Sequence, residues 1–142
     1  MIIGVLSGKG GVGKTTISSN LSYLLSTLGQ KVTLIDCNVT TSHLNFSFGF
    51  LNFNKTLNNL LRGEAELNEV IYKYKNLSII PASLRLEDLE YVDLLNLKNV
   101  VRRIDSDFVF LDSAPGLGKE ALSVIQSINS ALIVTTPFLT SI

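Results

Sequence analysis

Gly8-Lys9-Gly10-Gly11-Val12-Gly13-Lys14-Thr15 brings together residues whose types and spacing suit one task, the wrapping of a polyphosphate. The segment fits G-x-x-x-x-G-K-[ST], the phosphate-loop pattern. Glycines admit positive φ and let the backbone approach an anion without a Cβ in the way. Backbone N–H groups from Gly10 to Thr16 can then turn inward onto α- and β-phosphates. A helix that starts at Lys14 would add its positive end to the same point. Lys14 supplies a point charge for the β- and γ-phosphates, and the Thr15 hydroxyl is a hard oxygen ligand suited to magnesium. A nucleoside triphosphate with Mg2+ is therefore the expected ligand, held by Gly8, Lys9, Gly10, Gly11, Val12, Gly13, Lys14, Thr15 and Thr16.

Magnesium needs oxygen partners beyond Thr15 and the phosphates, and two acids are placed to serve. Asp36 closes the apolar run KVTLID, and Asp112 closes FVFLD, a hydrophobic strand plus acid of the Walker B form. In an open parallel sheet, ligands bind at the carboxyl ends of the strands, where both acids are expected. Thr15, Asp36 and Asp112 are thus the candidate metal residues.

These residues require a scaffold of alternating strands and helices. Apolar runs at Ile2–Leu6, Lys31–Asp36, Leu77–Ile80, Phe108–Leu111 and Ala131–Val134 read as five strands, the first of them buried. Lys14–Leu28 carries Ile17, Leu21, Leu24, Leu25 and Leu28 at helical spacing, and Gly29 follows as a helix stop. Thr56–Arg62 and Glu66–Tyr72 read as short helices around Gly63. Asp93–Ile104 places Leu94, Leu97, Val101 and Ile104 on one stripe, and Lys119–Ile128 is expected to be helical. The expected architecture is a single α/β domain over residues 1–142, a three-layer P-loop fold with a mostly parallel sheet covered on both faces. TTPFLTSI stops where a further helix is expected, so the expectation is of a domain lacking C-terminal elements, with a complete small domain as the alternative.

Composition narrows the classes. Twelve basic and twelve acidic side chains cancel, so no net field draws the chain to nucleic acid or to an anionic surface. One cysteine, Cys37, excludes an internal disulfide; a reducing, cytoplasmic setting is expected, with Cys37 packed as a small hydrophobe. MIIGVLSGKG has no basic leader region, and no run approaches the roughly 20 apolar residues that span a bilayer. His43 has no metal-ligand spacing around it and reads as structural or surface, and Arg102 and Arg103 as a solvated helix face.

SGKGGVGKTT carries a second lysine, Lys9, and in this it resembles the deviant Walker A motif of the MinD/ParA family of ATPases. NLSYLLSTLGQKVTLID, SHLNFSFGF, LRGEAELNEVIY, NLSIIPASLRLE and FVFLDSAPGLGKEAL resemble the MinD branch in order and spacing. The resemblance implies ATP as the nucleotide and an ATP-dependent homodimer in which Lys9 reaches the partner's phosphates, as an arginine finger does. It implies a switch that cycles on a membrane or other surface to position cell-division or other machinery, with regulatory proteins unidentified. In the family the surface is held by a C-terminal amphipathic helix, which this sequence does not contain.

Two departures matter. The family places a water-positioning acid two residues after the strand-end aspartate, and this chain has Asn38. An amide accepts a hydrogen bond from water but takes no proton, so slowed hydrolysis is expected, with Lys9, Lys14 and Asn38 as the catalytic set. Thr136-Pro137-Phe138 stands where the family has an Asn-Pro-Glu stretch near adenine. The alternatives are a nucleotide-binding module with little turnover, or a relative carrying other cargo. Neutral charge gives a DNA partitioner no support, and one cysteine cannot build a cluster site.

Overall fold

A computed structural model describes residues 1–42, 44–50 and 52–137. His43 and Phe138, and with Phe138 the end of TTPFLTSI, lie outside the described residues. Six strands form one sheet: β1 (Ile2–Leu6), β2 (Val32–Asp36), β3 (Tyr72–Tyr74), β4 (Leu77–Ile80), β5 (Phe108–Asp112) and β6 (Ser130–Ile133), in the order β3-β4-β2-β5-β1-β6. Every pairing is parallel except β3 with β4. Successive side chains leave a strand on opposite faces, so β5 sends Val109 and Leu111 into one core and Phe110 into the other. The first core is completed by α3 (Leu57–Leu61), α4 (Leu97–Arg102) and α5 (Lys119–Ile125). The second is completed by α1 (Lys14–Thr27) and α2 (Leu44–Ser47). This is the three-layer α/β fold that the alternating pattern implies.

Two elements differ from the sequence expectation. Glu66–Tyr72 is not a helix. A single 3-10 turn, Leu67–Glu69, is closed by Glu69 accepting from the Glu66 amide at 2.7 Å, and the chain then extends into β3. Tyr72 and Tyr74 alternate with exposed Lys73, and the tyrosines pack on Phe53, Phe48 and Phe50. Period-two aromatic packing prevails over helix propensity here. Lys75, at φ 54, turns the chain tightly into β4.

The second difference is the face that α1 buries. Of the expected stripe, Leu21 and Leu25 pack on the second core, but Ile17, Leu24 and Leu28 are exposed at 41%, 54% and 67%, while Ser18, Ser19, Ser22 and Ser26 are buried. Small side chains let the helix axis approach closely, and two of the hydroxyls return to the helix backbone: Ser18 to the Thr15 carbonyl at 3.0 Å and Ser26 to the Tyr23 carbonyl at 2.7 Å. On the opposite face Gly4 serves a similar end. A Cβ there would meet Ile128 Cδ1 at 2.9 Å and Val124 Cγ1 at 3.1 Å, so α5 and its C-terminal extension seat directly on β1.

Candidate functional site

The loop between β1 and α1 leaves the sheet at its carboxyl edge and encloses a cavity of about 440 Å³. Gly11 and Gly13 hold φ 75 and 91, and a Cβ on either would project into open space within the cradle. Gly13 is also the N-cap of α1, and no side chain caps that end. The first helical N–H groups are consequently directed at the cavity. Lys9, Gly10, Gly11, Val12, Gly13, Lys14, Thr15 and Thr16 line it, together with Ser7, Asn38, Thr41 and Pro115. Gly8 is exposed and stands outside that lining.

Beneath the cradle, strand register does the positioning. β2 and β5 are adjacent, and Asp36 pairs directly with Asp112 across them. The Asp112 carboxylate accepts from Lys14 Nζ at 3.4 Å, and the Thr15 and Ser18 hydroxyls lie close enough to hold its pKa down. Burial raises its pKa, against the pull of Lys14 and these hydroxyls. Thr15 and Asp112, two of the three expected metal residues, are therefore brought to one place beneath the cradle. Asp36 is engaged otherwise: its two oxygens accept from the Asn38 amide at 3.0 Å, the Ser42 hydroxyl at 2.6 Å and the Leu44 amide at 3.4 Å.

Burial drives the Asp36 carboxyl from 3.8 to about 7, and the neighbouring Asp112 charge adds to the rise while the Ser42, Asn38 and Leu44 donors oppose it. The folded chain then keeps this proton up to about pH 7, whereas the unfolded chain releases it near pH 3.8. Below the lower value both states are protonated and Asp36 costs nothing. Between the two values the folded state binds more protons, so stability falls as pH rises, by roughly 4 kcal/mol in all. Asp36→Asn should remove this slope in nucleotide- and magnesium-free protein. Urea midpoints at pH 4 and pH 8 are expected to show the variant gaining on the parent chain at the higher pH. A stability difference independent of pH would contradict the assignment.

Asn38 has its amide committed within its own loop. Nδ2 donates to the Thr41 carbonyl at 2.8 Å, and Oδ1 accepts from the Thr41 hydroxyl at 2.9 Å. It lines the cavity as expected, but through a side chain held at both ends. Cys37 is buried, its thiol pKa pushed well up by burial, and its amide donates to the Asp112 carbonyl at 2.9 Å. It acts as packing, in keeping with its expected role. Ser18 and Ser42 were not among the residues singled out by sequence. Ser18 lies one helical turn beyond Lys14 and could have been found by its i+4 spacing; nothing local marks Ser42.

The arrangement suits a magnesium nucleotide. The cradle presents backbone N–H groups and a buried ammonium to anionic oxygen, and the adjoining donors are the hard hydroxyl and carboxylate oxygens that magnesium prefers. The sequence matches a family model described as an AAA domain over residues 1–141. It is 37% identical over 145 residues to an uncharacterized ATP-binding protein of Methanocaldococcus jannaschii, covering 100% of this chain and 55% of that protein. It is 34% identical over 147 residues to the septum site-determining protein MinD of Thermotoga maritima, covering 99% and 54%. The fold superposes on the septum site-determining protein MinD of Pyrococcus horikoshii, complexed with Mg-ADP. The TM-score is 0.93 at 35% identity, over 99% of this chain and 59% of that one. The chain spans about half the length of the curated relatives it matches.

Proposed function

The chain belongs to the MinD/ParA family of P-loop ATPases, on its MinD branch, and on that premise we propose that it is an ATP-operated switch. In this reading it binds Mg-ATP, pairs with a second copy while ATP is held, and occupies a membrane or other surface until hydrolysis releases it. The positioning of division or comparable machinery is the corresponding role, carried out in the cytoplasm or on the cytoplasmic face of a membrane. The observation that carries the reading is the convergence of Lys14, Thr15 and Asp112 beneath a glycine cradle.

Each residue has a task in this scheme. Backbone N–H groups from Gly10 to Thr16 orient the phosphates, and Lys14 neutralises the β- and γ-oxygens. Thr15 and Asp112 hold the cation, with Asp36 behind them, directly or through water. Bound magnesium supplies charge neutralisation for the departing phosphate. Lys9 lines the cavity from its exposed rim, the place from which a side chain can serve a partner's site. No helix among the described residues is long and apolar enough to cross a membrane.

A second reading, nucleotide binding with little turnover, is favoured by Asn38, which sits where the resemblance implies an acid and has its amide bonded to Thr41. Sedimentation velocity with Mg-ADP and with a non-hydrolysable ATP analogue tests the switch. A dimer is expected only with the analogue, alongside calorimetric binding of both nucleotides. A chain that binds Mg-ATP yet stays monomeric would leave the binding module; one that binds no nucleotide at millimolar concentration would overturn both.

A further inference from the structure

Two loops flank the cavity besides the phosphate loop: residues 37–42 after β2 and residues 113–118 after β5. The first is a closed unit. Asn38 and Thr41 bond each other, while the Asn38 amide and the Ser42 hydroxyl fasten the loop to Asp36. The second is fastened to the phosphate loop side, with the Gly116 amide donating to the Ser7 carbonyl at 2.9 Å and Pro115 lining the cavity.

Beyond the strand ends, a side chain of α5, the helix that follows the second loop, reaches the first loop. Glu120, in the first turn of α5, accepts from the Thr40 amide at 3.0 Å with one oxygen and from the Thr40 hydroxyl at 3.3 Å with the other. A carboxylate is suited to this grip because both of its oxygens accept, whereas a glutamine would offer one. The charge also strengthens each bond relative to a neutral pair. The residues are 80 apart in sequence, and Thr40 is itself exposed, so packing alone does not hold it to α5.

We propose that Glu120 is a positioning residue that couples residues 37–42 to the first turn of α5, so that contact of nucleotide phosphate with residues 37–42 is felt at the start of α5. The coupling rests on the nucleotide-binding reading above. It assigns to Glu120 a role distinct from that of an ordinary acid at a helix N-terminus. That ordinary role would be served equally by aspartate. Aspartate is one methylene shorter and would not reach Thr40 in the observed geometry.

Hydrogen–deuterium exchange on the parent chain, Glu120→Ala and Glu120→Asp, each with and without Mg-ADP, separates the possibilities. Without nucleotide, exchange at the Thr40 amide should accelerate about tenfold in both variants, as loss of one charge-assisted bond implies. With nucleotide, protection of residues 8–16 should persist in all three proteins, while the response of residues 117–122 should fall by at least about half in both variants. Glu120→Asp behaving as the parent chain, or an unchanged response at residues 117–122, would overturn the coupling and leave nucleotide binding intact. Absence of protection at residues 8–16 in the parent chain would instead overturn the nucleotide-binding reading and the coupling with it. The Thr40 amide would still report whether Glu120 holds that loop.

Discussion

Lys14→Ala is expected to weaken Mg-ATP binding by about 100-fold or more, measured by calorimetric titration, because a desolvated charge–phosphate contact is among the strongest a site can make. The side chain is 10% exposed, and its ammonium lies 3.4 Å from Asp112, so it is already desolvated and held in place before any phosphate arrives. Little ordering remains to be done on binding. The substitution also leaves Asp112 buried with no cation beside it, which would raise its pKa further and lower its value as a magnesium ligand. The two losses act in the same direction. Lys9→Ala supplies the contrast. Lys9 lies on the exposed rim, so its removal should leave monomer affinity within about threefold and reduce ATP-dependent pairing and turnover. Equal losses of affinity in the two variants would count against a role for Lys9 across a dimer.

Asn38→Asp should raise the single-turnover rate of ATP hydrolysis by about ten- to a thousandfold, the range associated with a misplaced or missing catalytic group. The structure gives a mechanism for the gain. In the parent chain, Nδ2 donates to the Thr41 carbonyl and holds the amide within its loop. A carboxylate would set oxygen against that carbonyl, lose the bond and be repelled, while the Thr41 hydroxyl could still donate to it. The freed carboxylate would turn toward the cavity that residue 38 already lines. Affinity should change little, since the contacts that hold the nucleotide are made by the cradle and Lys14. A variant that binds as before and turns over no faster would show that residue 38 does not face the γ-phosphate, or that the catalytic dimer does not form. The sedimentation experiment with a non-hydrolysable analogue distinguishes these.

The parts of this site that could be read in the sequence are those encoded by residue type at short spacing. The phosphate loop is contiguous, and the strand-end acids follow apolar runs that leave little choice of structure. β2 and β5 also emerge as neighbours, which brings Asp36 beside Asp112. What could not be read depends on contacts made over long separations or on competition between faces. The stripe Ile17, Leu24 and Leu28 has helical spacing, yet α1 turns its serines to the sheet because close approach beside the cradle outweighs burial of these three side chains. β3 exists because Tyr72 and Tyr74 find aromatic partners outside their own segment. Ser42 and Glu120 have no local signature; each acquires its role only once strands and loops are assembled.

The interior position of β1 bears on when the cradle takes shape during synthesis. The strand that leads into the cradle is made long before its neighbours, for it lies between β5 and β6, with Ile2 opposite Val109 and Ile3 opposite Ser130. Its flanking bonds are equally remote: the Met1 amino group donates to the Asp107 carbonyl, and the Ile2 amide to the Asn129 side chain. The phosphate loop therefore leaves the ribosome complete in sequence but without a strand on either side to fix its backbone. At ordinary elongation rates the interval before residue 130 emerges is roughly ten seconds or more. Pairings of such long range also slow the search for the native sheet. Competence to hold nucleotide should consequently appear late and abruptly, when β5 and β6 close upon β1.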